Sequence, residues 1–478
     1  MPNSTSPFKD ILDSIFPARS IAVVGVSNDP GKHLGGREYV NALVDARFPG
    51  KLYPVNPSGG ELHGLKIYKS LQEVPDPVDF LISAIPAKYN IPLLRDCAAK
   101  GIKIIQIYSA GFSEIADPEG KKLEEELART ARETGVRVIG PNCMGIYAPK
   151  YNFSYRVGLP PESGSVGFIS QSGSNSFHAI RDGNLKGLYF SKLFSYGNAT
   201  DLTECDFLEY LAEDPETSVI GGYVEGVRDG RRLIDTLRKI TPKKPVVIYK
   251  AGNTVGGSRA VASHSGALAG SERVWEAALR QCGVLQVFSM EELVEALMLF
   301  QYMDPPTGKN AILMGTGGGV IIQSTDETIE GGLNLPLLPA EVRKSLEKTF
   351  TTEAGGSFRN PVDIYLGRKE IIEQTVKLLT GLEQTDLLLM QIMLGFSNQT
   401  AMLRPYLKAI RDMSKKINRR TAIIIRPAGS FRYANFTLKL QQSLIAAGYP
   451  VFDSARRAAT AISRYYDFCQ RVRNLPKS

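Results

Sequence analysis

The chain has 478 residues, more than one hydrophobic core usually serves, so roughly two to four domains are expected. Apolar residues make up 43% and charged residues 22%, a composition typical of globular proteins that argues against a disordered chain. Lys and Arg exceed Asp and Glu by 57 to 49, and the surplus is spread along the chain. A net charge of +8 without a basic block favours anionic small ligands and argues against a nucleic-acid partner.

The cysteines and the apolar runs exclude several further classes. The five cysteines lie far apart without a Cys-x-x-Cys pair, which predicts neither a disulfide framework nor a metal site. Charges and Pro interrupt the apolar residues of the first twenty positions, so no secretory signal is expected. The longest apolar run, LLLMQIML at 387–394, is too short to span a bilayer. These features predict a cytoplasmic protein without a membrane partner.

The first region alternates short aliphatic runs with amphipathic segments, which predicts an α/β domain with a parallel sheet. Five runs are predicted as buried strands: SIAVVGVS, KLYPVNP, DFLISAIPA, IKIIQIYSA and VRVIGPN. Between them, NIPLLRDCAAK and GKKLEEELARTARETG are predicted as helices. This order is typical of a doubly wound nucleotide-binding domain, which we predict over residues 1–146.

The same alternation begins again twice. Pro, Gly and Ser in YNFSYRVGLPPESGS predict a linker, and SVGFISQSGS, KLFSYGN, VIGGYVEG and KPVVIYKAG then predict the strands of a second domain over 147–304. The turn-rich segment DPPTGKN precedes a third domain over 305–478, with strands predicted in AILMGTGGG, DLLLMQIML and TAIIIRPAGS. We therefore expect three α/β domains.

The end of the first strand suggests a phosphate-bearing ligand. Gly25 follows that strand, and a glycine there allows phosphates to approach the backbone, although tight packing of the turn explains it as well. The glycine spacing of the NAD fingerprint is missing, and Asn56 stands where an NAD enzyme usually has an acidic residue. Lys51 and the turn at 55–60 better suit an adenosine that carries a phosphate of its own. NAD is therefore disfavoured.

Other predicted strand ends carry small residues or Pro. They are SAIPA at 83–87, YSAGFSE at 108–114 and GPNCMG at 140–145. Ligands of parallel α/β sheets bind outside the carboxyl ends of the strands. Each segment alone fits an ordinary turn, but together they predict one crevice.

The segment ISQSGS places Ser172 between a predicted strand and a predicted helix. Free amides and hydroxyl groups at a helix N-terminus form an anion site, although Ser172 or Ser174 also fits a simple helix cap. Ser170 stands where a Gly-x-Ser-x-Gly nucleophile motif requires glycine, so that motif is excluded. The segment predicts either a phosphate site or a cap.

His264 lies in VASHSGALAGSE, among residues too small to cover its ring. We expect this segment to be a mobile loop. A neutral imidazole nitrogen can attack phosphorus when a carboxylate holds the other ring nitrogen, and Glu225, after a predicted strand of the same domain, is the best-placed acid. A structural histidine is the alternative.

The glycines of GTGGGV at 315–320 and the segment NPVDI at 360–364 fit a phosphate contact and an interdomain contact equally well. The chain contains no Gly-x-x-x-x-Gly-Lys-Ser/Thr motif, and no carboxylate cluster predicts a magnesium–ATP site. The sequence therefore predicts phosphate sites without an ATP site.

The motifs taken in order resemble the NDP-forming acyl-CoA synthetases, which include the ADP-forming acetyl-CoA synthetases and the succinyl-CoA synthetases. The resemblance covers nearly the whole chain and rests on SIAVVGVSNDPGK, GKLYPVNP, SAIPA, SAGFSE, GPNCMG, ISQSGS, SYGNATDL, LEYLAEDPET, YVEGVRDGR, ASHSGALAGS, GTGGGV and NPVDI. It implies an α-subunit with a CoA-binding Rossmann-like domain followed by two flavodoxin-like ligase domains.

The resemblance also implies an activity and a partner. An acid–thiol ligase of this type reversibly converts acyl-CoA, phosphate and ADP into a small carboxylic acid, CoA and ATP, through acyl phosphate and phosphohistidine intermediates. CoA is the implied ligand of this chain. An ATP-grasp β-subunit, in a hetero-oligomer such as α2β2, is implied to bind Mg²⁺ with ADP or ATP.

The resemblance assigns residues to this reaction. His264 matches the histidine that carries phosphate, Glu225 the acid that orients it, and Ser172 and Gly173 the helix start that holds the phosphoryl group. Ten positions are similar to the CoA site, the last two near its thiol: Gly25, Ser27, Asn56, Pro57, Ile85, Pro86, Ser109, Gly111, Asn142 and Cys143.

Some segments depart from the family pattern. GTGGGVII lacks the Pro-Gly that commonly follows the glycines, and Asn175 and His178 are unusual after Ser-Gly. Tyr155 and Arg156 are candidates to contact a polar or anionic acid. A CoA-binding regulatory or scaffold protein of the same fold, without phosphoryl transfer, is the alternative function, although the presence of both His264 and Glu225 argues against it.

Overall fold

The computed structural model of the chain forms two compact units, which comprise residues 1–184 with 189–293 and residues 185–188 with 294–478. The described residues are 7–16, 18–29, 31, 35–75, 77–115, 117–265, 271–315, 317–350, 358–364, 369–393, 419–426 and 431–474. Among the described residues, the first unit contains two large sheets and a two-stranded hairpin, and the second unit contains one sheet. The domain boundaries predicted at 146 and 304 stay a prediction.

The first sheet is parallel throughout, with the strand order β2-β1-β5-β6-β7. The strands of this region are β1 (Ser20–Val24), β2 (Lys51–Val55), β3 (Gly60–Leu62), β4 (Leu65–Ile67), β5 (Phe80–Ser83), β6 (Ile104–Ile107) and β7 (Arg137–Ile139). The helices are α1 (Pro7–Ile15), α2 (Gly36–Asp45), α3 (Asn90–Ala99) and α4 (Pro118–Thr134). All five strands predicted here are confirmed, because buried parallel strands are continuous apolar runs.

Local signals define helix α4. Its N-cap residue Asp117 accepts a hydrogen bond from the backbone N–H of Glu119 at 3.0 Å, and Pro118 stands at the first helical position. The helix ends at Gly135, whose φ of 71° lies in the left-handed region. The small antiparallel hairpin β3–β4 was not predicted, because its strands are three residues each and carry no clear alternation.

The second sheet has the order β13-β12-β11-β9-β10-β8, in which only the edge strand β8 runs antiparallel to its neighbour. Its strands are β8 (Gly145–Tyr147), β9 (Val166–Ser170), β10 (Phe190–Ser195), β11 (Val219–Val224), β12 (Val246–Lys250) and β13 (Leu285–Val287). The helices of this region are α5 (Gly173–Leu185), α6 (Glu204–Glu213), α7 (Gly230–Ile240), α8 (Val255–Ser265), α9 (Glu272–Gln281) and α10 (Met290–Tyr302). The prediction missed the short strands β8 and β13.

The segment predicted as a linker carries core residues. Phe153 is 2% exposed, and its ring packs edge-on against Phe48 with the centroids 5.5 Å apart. Tyr155 is 1% exposed and its hydroxyl lies 3.1 Å from the Ser176 hydroxyl. The Pro, Gly and Ser residues of this stretch favoured a linker, so its two buried aromatic side chains were overlooked.

Strand β10 places a charged side chain inside the first unit. Lys192 is 1% exposed, and its ammonium donates to both carboxylate oxygens of Asp214 at 2.9 and 3.0 Å. It also donates to Glu216 at 2.7 Å and lies 5.4 Å from the ring centroid of Tyr151. The buried charge is thus fully compensated, as a buried lysine requires.

The second unit contains a parallel sheet with the order β15-β14-β16-β17-β18. The strands are β14 (Ala311–Gly315), β15 (Val362–Asp363), β16 (Leu387–Ile392), β17 (Thr421–Ile425) and β18 (Val451–Phe452). The helices are α11 (Gly318–Glu330), α12 (Ala340–Thr349), α13 (Lys369–Thr380), α14 (Phe431–Ala446) and α15 (Ala455–Arg473). Within the described residues, no helix combines the length and hydropathy that crossing a bilayer requires.

In the segment NPVDI, the side chain of Asn360 forms three hydrogen bonds to the backbone. Its side-chain amide donates to the carbonyls of Ala311 and Pro336 at 3.0 and 2.9 Å, and its Oδ1 accepts from the backbone N–H of Leu313 at 3.1 Å. Asn360 therefore links strand β14 to the loop that contains Pro336, and these hydrogen bonds give the segment NPVDI a structural role.

Candidate functional site

The turns at the carboxyl ends of the first sheet lie side by side. The hydroxyl of Ser109, after β6, donates to the carbonyl of Ile85, after β5. The backbone N–H of Asn142, after β7, donates to the carbonyl of Ser109 at 3.0 Å. The half-buried or exposed members of the predicted CoA set are Gly25, Ser27, Asn56, Pro57, Ile85, Pro86, Ser109, Gly111 and Asn142. The predicted crevice edge therefore forms and is accessible.

Gly25 occupies a position that only glycine fits. Its φ is 97°, and a Cβ there would lie 2.7 Å from the carbonyl oxygen of Ala84. A Cβ on Gly36, at the start of α2, would in turn lie 2.6 Å from the carbonyl oxygen of Gly25. These close contacts support tight packing of the turn as the reason for glycine at position 25. The carbonyl group of Gly25 lies against the start of helix α2.

The turn after β2 is built around Asn56. Its Oδ1 accepts a hydrogen bond from the backbone N–H of Ser58 at 2.9 Å, which shapes the turn. Asn28, in the turn after β1, donates from its amide to the carbonyl of Gly59 at 2.5 Å. Asn28 thus joins the first two turns, a role that was not predicted for it.

Lys51 lies apart from these turns. It is the first residue of β2 and pairs in register with Ser20, the first residue of β1. Both residues mark the amino ends of their strands, whereas Gly25 and Asn56 follow the carboxyl ends. The role of Lys51 in the ligand site stays a prediction, and its position at the amino end of β2 separates it from the other predicted residues.

Cys143 is held away from the crevice. It is 3% exposed, and its thiol donates to the carbonyl of Ile107 at 3.4 Å. Burial raises its pKa well above the ordinary value, so the thiol stays protonated. A ligand near this segment meets Asn142, whose side-chain amide lies 3.4 Å from Oδ1 of Asn198 in the second sheet's region.

Asn198, after β10, joins the two sheets of the first unit. Its side-chain amide donates to Glu114 at 2.6 Å and to Glu124 at 2.9 Å. Glu114 also accepts from the backbone N–H groups of Gly111 and Phe112 at 2.5 and 3.1 Å, so it holds the turn after β6. The predicted CoA turn is therefore connected to the second sheet.

Glu124 extends the same network towards the turn after β11. It accepts from the backbone N–H of Ser113 at 3.1 Å and from the guanidinium of Arg228. Burial alone would raise the pKa of Glu124, but hydrogen bonds from Ser113, Arg228 and Asn198 outweigh it and lower this pKa. A cavity of about 890 Å³ lies beside these groups.

Four residues of this network were not predicted as site residues: Glu114, Glu124, Asn198 and Arg228. Three of them lie in the motifs SAGFSE, SYGNATDL and YVEGVRDGR that carry the family resemblance. A polar residue in such a motif was the only signal, and it did not reveal which residues would meet.

Ser172 has the geometry of a helix cap. Its hydroxyl accepts from the backbone N–H of Asn175 at 3.3 Å, just before α5 begins at Gly173. A Cβ on Gly173 would lie 2.6 Å from Cγ of Met144, so glycine allows the segment after β7 to approach the helix start. The cap alternative is confirmed for Ser172, and the helix N-terminus stands beside the first sheet's turns.

Gln171 joins this helix start to Glu225. Its Oε1 accepts from the backbone N–H groups of Glu225 and, at 3.0 Å, Gly226, while its Nε2 donates to the carbonyl of Gly226 at 2.9 Å. Glu225 is 5% exposed, and the Tyr223 hydroxyl donates to its Oε1 at 3.3 Å. The predicted acid and the predicted phosphate seat therefore lie together, through a residue whose role was missed.

The segment before His264 is helical, so the expectation of a loop is wrong there. Helix α8 spans Val255–Ser265, and the Thr254 hydroxyl accepts from the backbone N–H of Gly257 at 3.0 Å at its start. The helix packs against the 3₁₀ turn Ser113–Ile115 of the first sheet's region. The side chain of His264 and residues 266–270 lie outside the described part, so the contact of His264 with Glu225 stays a prediction.

Of the two side chains proposed to contact the acid, Tyr155 is buried and Arg156 is exposed. Tyr155 is buried against Ser176, and the guanidinium carbon of Arg156 lies 4.6 Å from the ring centroid of Phe177. The prediction that Tyr155 contacts the acid is wrong, because the side chain is part of the core. Among the residues that the structure describes, no three His, Cys, Asp or Glu side chains group as metal ligands.

Comparisons with known proteins agree with this architecture. A family model described as a CoA binding domain matches residues 19–149, and one described as a succinyl-CoA ligase like flavodoxin domain matches residues 163–300. The CoA-binding and flavodoxin-like types predicted for these regions are confirmed.

Relatives match across most of the chain. The α-subunit of acetate–CoA ligase [ADP-forming] II from Pyrococcus furiosus is 39% identical over 79% of this chain and 82% of its own length. The α-subunit of ligase I from the same organism is 37% identical over 74% and 76%. A solved acetyl-coenzyme A synthetase 1 of Ca. Korarchaeum cryptofilum, in complex with phosphate and ADP, superposes with a TM-score of 0.82 at 29% identity, covering 97% of this chain and 98% of that one.

Proposed function

Because this chain belongs to the ADP-forming acetyl-CoA synthetase family, as an α-subunit, we propose that it supplies the CoA site and the phosphorylated histidine of an ADP-forming acyl-CoA ligase. The enzyme reversibly converts acyl-CoA, phosphate and ADP into a carboxylic acid, CoA and ATP. A β-subunit completes it and binds ADP or ATP with Mg²⁺, in a cytoplasmic hetero-oligomer such as α2β2. The acid is a small carboxylic acid.

The reaction proceeds through three bond exchanges. A phosphate oxygen attacks the thioester carbonyl, so the C–S bond breaks, CoA leaves as a thiolate that takes up a proton, and an acyl phosphate forms. An imidazole nitrogen of His264 then attacks phosphorus, and the free acid leaves as its P–O bond breaks. Finally a β-phosphate oxygen of ADP attacks the phosphohistidine, the P–N bond breaks and ATP forms.

The described residues suit these steps. Glu225 accepts the N–H of the His264 ring, which directs the other nitrogen to phosphorus, and Gln171 holds the Glu225 backbone in place. The first amides of helix α5, after Ser172, stabilise the phosphoryl charge. The turns that follow β1, β2, β5, β6 and β7 hold CoA beside them.

One observation carries this proposal. Gln171 precedes the helix start at Ser172, and its side chain hydrogen-bonds the backbone of Glu225 and Gly226. The proposed phosphate site and the proposed orienting acid are therefore neighbours. Helix α8, which contains His264, packs against the turn Ser113–Ile115 beside the proposed CoA crevice. Together they support a histidine that serves the CoA side of the reaction.

The test is phosphorylation of the chain together with a candidate β-subunit. We expect labelled ATP to leave acid-labile, base-stable phosphate on this chain, and His264→Ala to abolish it, because the P–N bond needs the imidazole. Glu225→Gln should slow labelling about a hundredfold, since a misplaced reacting group costs about that much. His178→Ala, at an exposed histidine, is the matched control and should label normally.

Two outcomes contradict the proposal. Labelling that persists in His264→Ala places the phosphate on another residue. Binding of CoA by the chain without any phosphorylation in the complete enzyme supports a CoA-binding scaffold instead.

A further inference from the structure

Lys69 lies beside the turn that follows strand β2. The residue before it, Tyr68, pairs with Val55, the last residue of β2, and its carbonyl accepts from the backbone N–H of Asn56 at 2.8 Å. The hairpin β3–β4 thus returns the chain to the carboxyl end of β2. Because this hairpin was not predicted, the sequence did not reveal that Lys69 and Asn56 are neighbours.

The side chain of Lys69 lies over Gly59, in the same turn. A Cβ on Gly59 would lie 3.5 Å from Cε and 3.6 Å from Cγ of Lys69. Gly59 is buried, and its carbonyl accepts from the side-chain amide of Asn28, in the turn after β1, at 2.5 Å. The ammonium is one bond beyond Cε, so it lies close to the place where these two turns meet.

The ammonium of Lys69 is accessible to a ligand. The residue is exposed, and no carboxylate of the described residues forms a salt bridge with it. The Glu73 carboxylate accepts from the backbone N–H of Lys69 at 3.2 Å, which fixes the backbone from which the side chain extends. An ammonium in this position can donate charge-assisted hydrogen bonds to a phosphate group.

Three other cations of this region lie in different places. Lys51 begins β2, at the opposite end of the strand, and the ammonium of Lys66 lies 4.9 Å from the centroid of a tyrosine ring. The guanidinium of Arg37 donates to the carbonyl of Ser27, in the turn after β1, at 3.1 Å. Of these four cations, Lys69 is the one at the turn after β2.

We propose that Lys69 binds the 3′-phosphate of CoA and so distinguishes CoA from the same nucleotide without that phosphate. This inference rests on the proposed function. In doubly wound nucleotide sites the residue after the second strand meets the ribose, and a cation nearby accommodates a phosphate on that ribose. Asn56 occupies the first of these positions, and Lys69 supplies the cation beside it.

The first experiment compares CoA with 3′-dephospho-CoA by calorimetric titration of the full chain. We expect Lys69→Met to weaken the binding of CoA about tenfold, as for the loss of one charged hydrogen bond, and to leave the binding of 3′-dephospho-CoA unchanged. Methionine keeps an apolar stem over Gly59. Lys69→Arg should retain most of the affinity, because guanidinium also binds phosphate. Lys66→Met removes the same charge from the same hairpin and, as the matched control, should bind both compounds like the native chain.

The second experiment measures acyl-CoA formation by the complete enzyme. We expect Lys69→Met to raise KM for CoA about tenfold and to leave kcat unchanged, because the 3′-phosphate and the reacting thiol lie at opposite ends of CoA. With 3′-dephospho-CoA as the substrate, the native enzyme and Lys69→Met should have the same KM.

Two outcomes overturn the inference while the proposed function stands. Equal weakening of CoA and 3′-dephospho-CoA in Lys69→Met would mean that the lysine does not act on the 3′-phosphate. A loss selective for CoA in Lys51→Met, with Lys69→Met like the native chain, would assign the phosphate to the other end of β2. A native enzyme that binds neither compound contradicts the proposed function and the inference together.

Discussion

The interior of the second sheet and its carboxyl edge each bury a lysine, but in opposite surroundings. In the interior, Lys192 donates to Asp214 and Glu216, so two carboxylates compensate its charge. At the edge, Lys250 has a backbone carbonyl and the face of Trp275, and burial lowers its pKa to about 8. Ligands of parallel sheets bind at that edge. In the interior, where the lysine serves stability, carboxylates balance its charge. At the carboxyl edge, where the candidate site lies, burial lowers the lysine pKa, so its charge can change with pH near neutrality.

Glu204 is a second buried titratable group near the carboxyl edge of the second sheet. It is the first residue of α6, after strand β10, and it lines the cavity of about 890 Å³. It is 3% exposed, and burial raises its pKa to about 7, with the nearby Asp206 adding to the shift. A perturbed carboxyl group in a cavity is typical of functional sites.

The largest expected effect concerns the interior. Lys192→Met should lower the free energy of unfolding by about 3–5 kcal/mol, because it leaves the buried Asp214 without a cation. Urea unfolding followed by the emission of Trp275 measures this in the first unit. Lys150→Met is the matched control, since Lys150 also contacts Glu216 but from an exposed position, and it should lose far less. Equal losses in both variants would remove the distinction between interior and surface charge.

The second effect concerns Glu204 and depends on pH. Its pKa rises from 4.5 in the unfolded chain to about 7 in the folded chain, so the folded chain binds the extra proton between these values. Its contribution is therefore fully present below pH 4.5 and is lost as pH rises through about 7, a fall of about 2–3 kcal/mol in the free energy of unfolding.

Glu204→Gln should remove this fall, because an amide has no proton to lose. Unfolding free energies compared at pH 5 and pH 8 measure the effect, and Glu213→Gln, at an exposed position of the same helix, should behave like the native chain. A Glu204→Gln profile that matches the native one would mean that Glu204 is ionised in the fold.

The smallest expected effect concerns Ser172, a helix cap at the carboxyl edge of the second sheet. Ser172→Ala should lower the free energy of unfolding by about 1 kcal/mol, because the backbone N–H of Asn175 loses its acceptor. Ser174→Ala, at an exposed position two residues later, should change it little. Thermal unfolding of both variants decides between them, and a larger loss in Ser174→Ala would contradict the cap assignment.

Local patterns were sufficient for most elements. Apolar runs located β1, β9 and β16, and turn chemistry located the end of α4 at Gly135. Short elements such as β8 escaped, because three residues carry too little periodicity. Helix α8 was taken for a loop, since its glycines and small residues have weak helix propensity and packing stabilises it instead.

The sequence by itself determined the α/β class, the succession of most strands along the chain and the small residues at their carboxyl ends. Hydrophobic runs and turn residues act within a few positions of each other, so local patterns reveal them. Only the tertiary structure decided which side chains meet. Gln171 reaches the backbone of Glu225 across 54 positions, and Asn198 reaches Glu114 across 84. Lys250, at the end of β12, lies 5.2 Å from the ring centroid of Trp275 on α9. Strand register also placed Lys51 at the opposite edge, which position along the chain does not reveal.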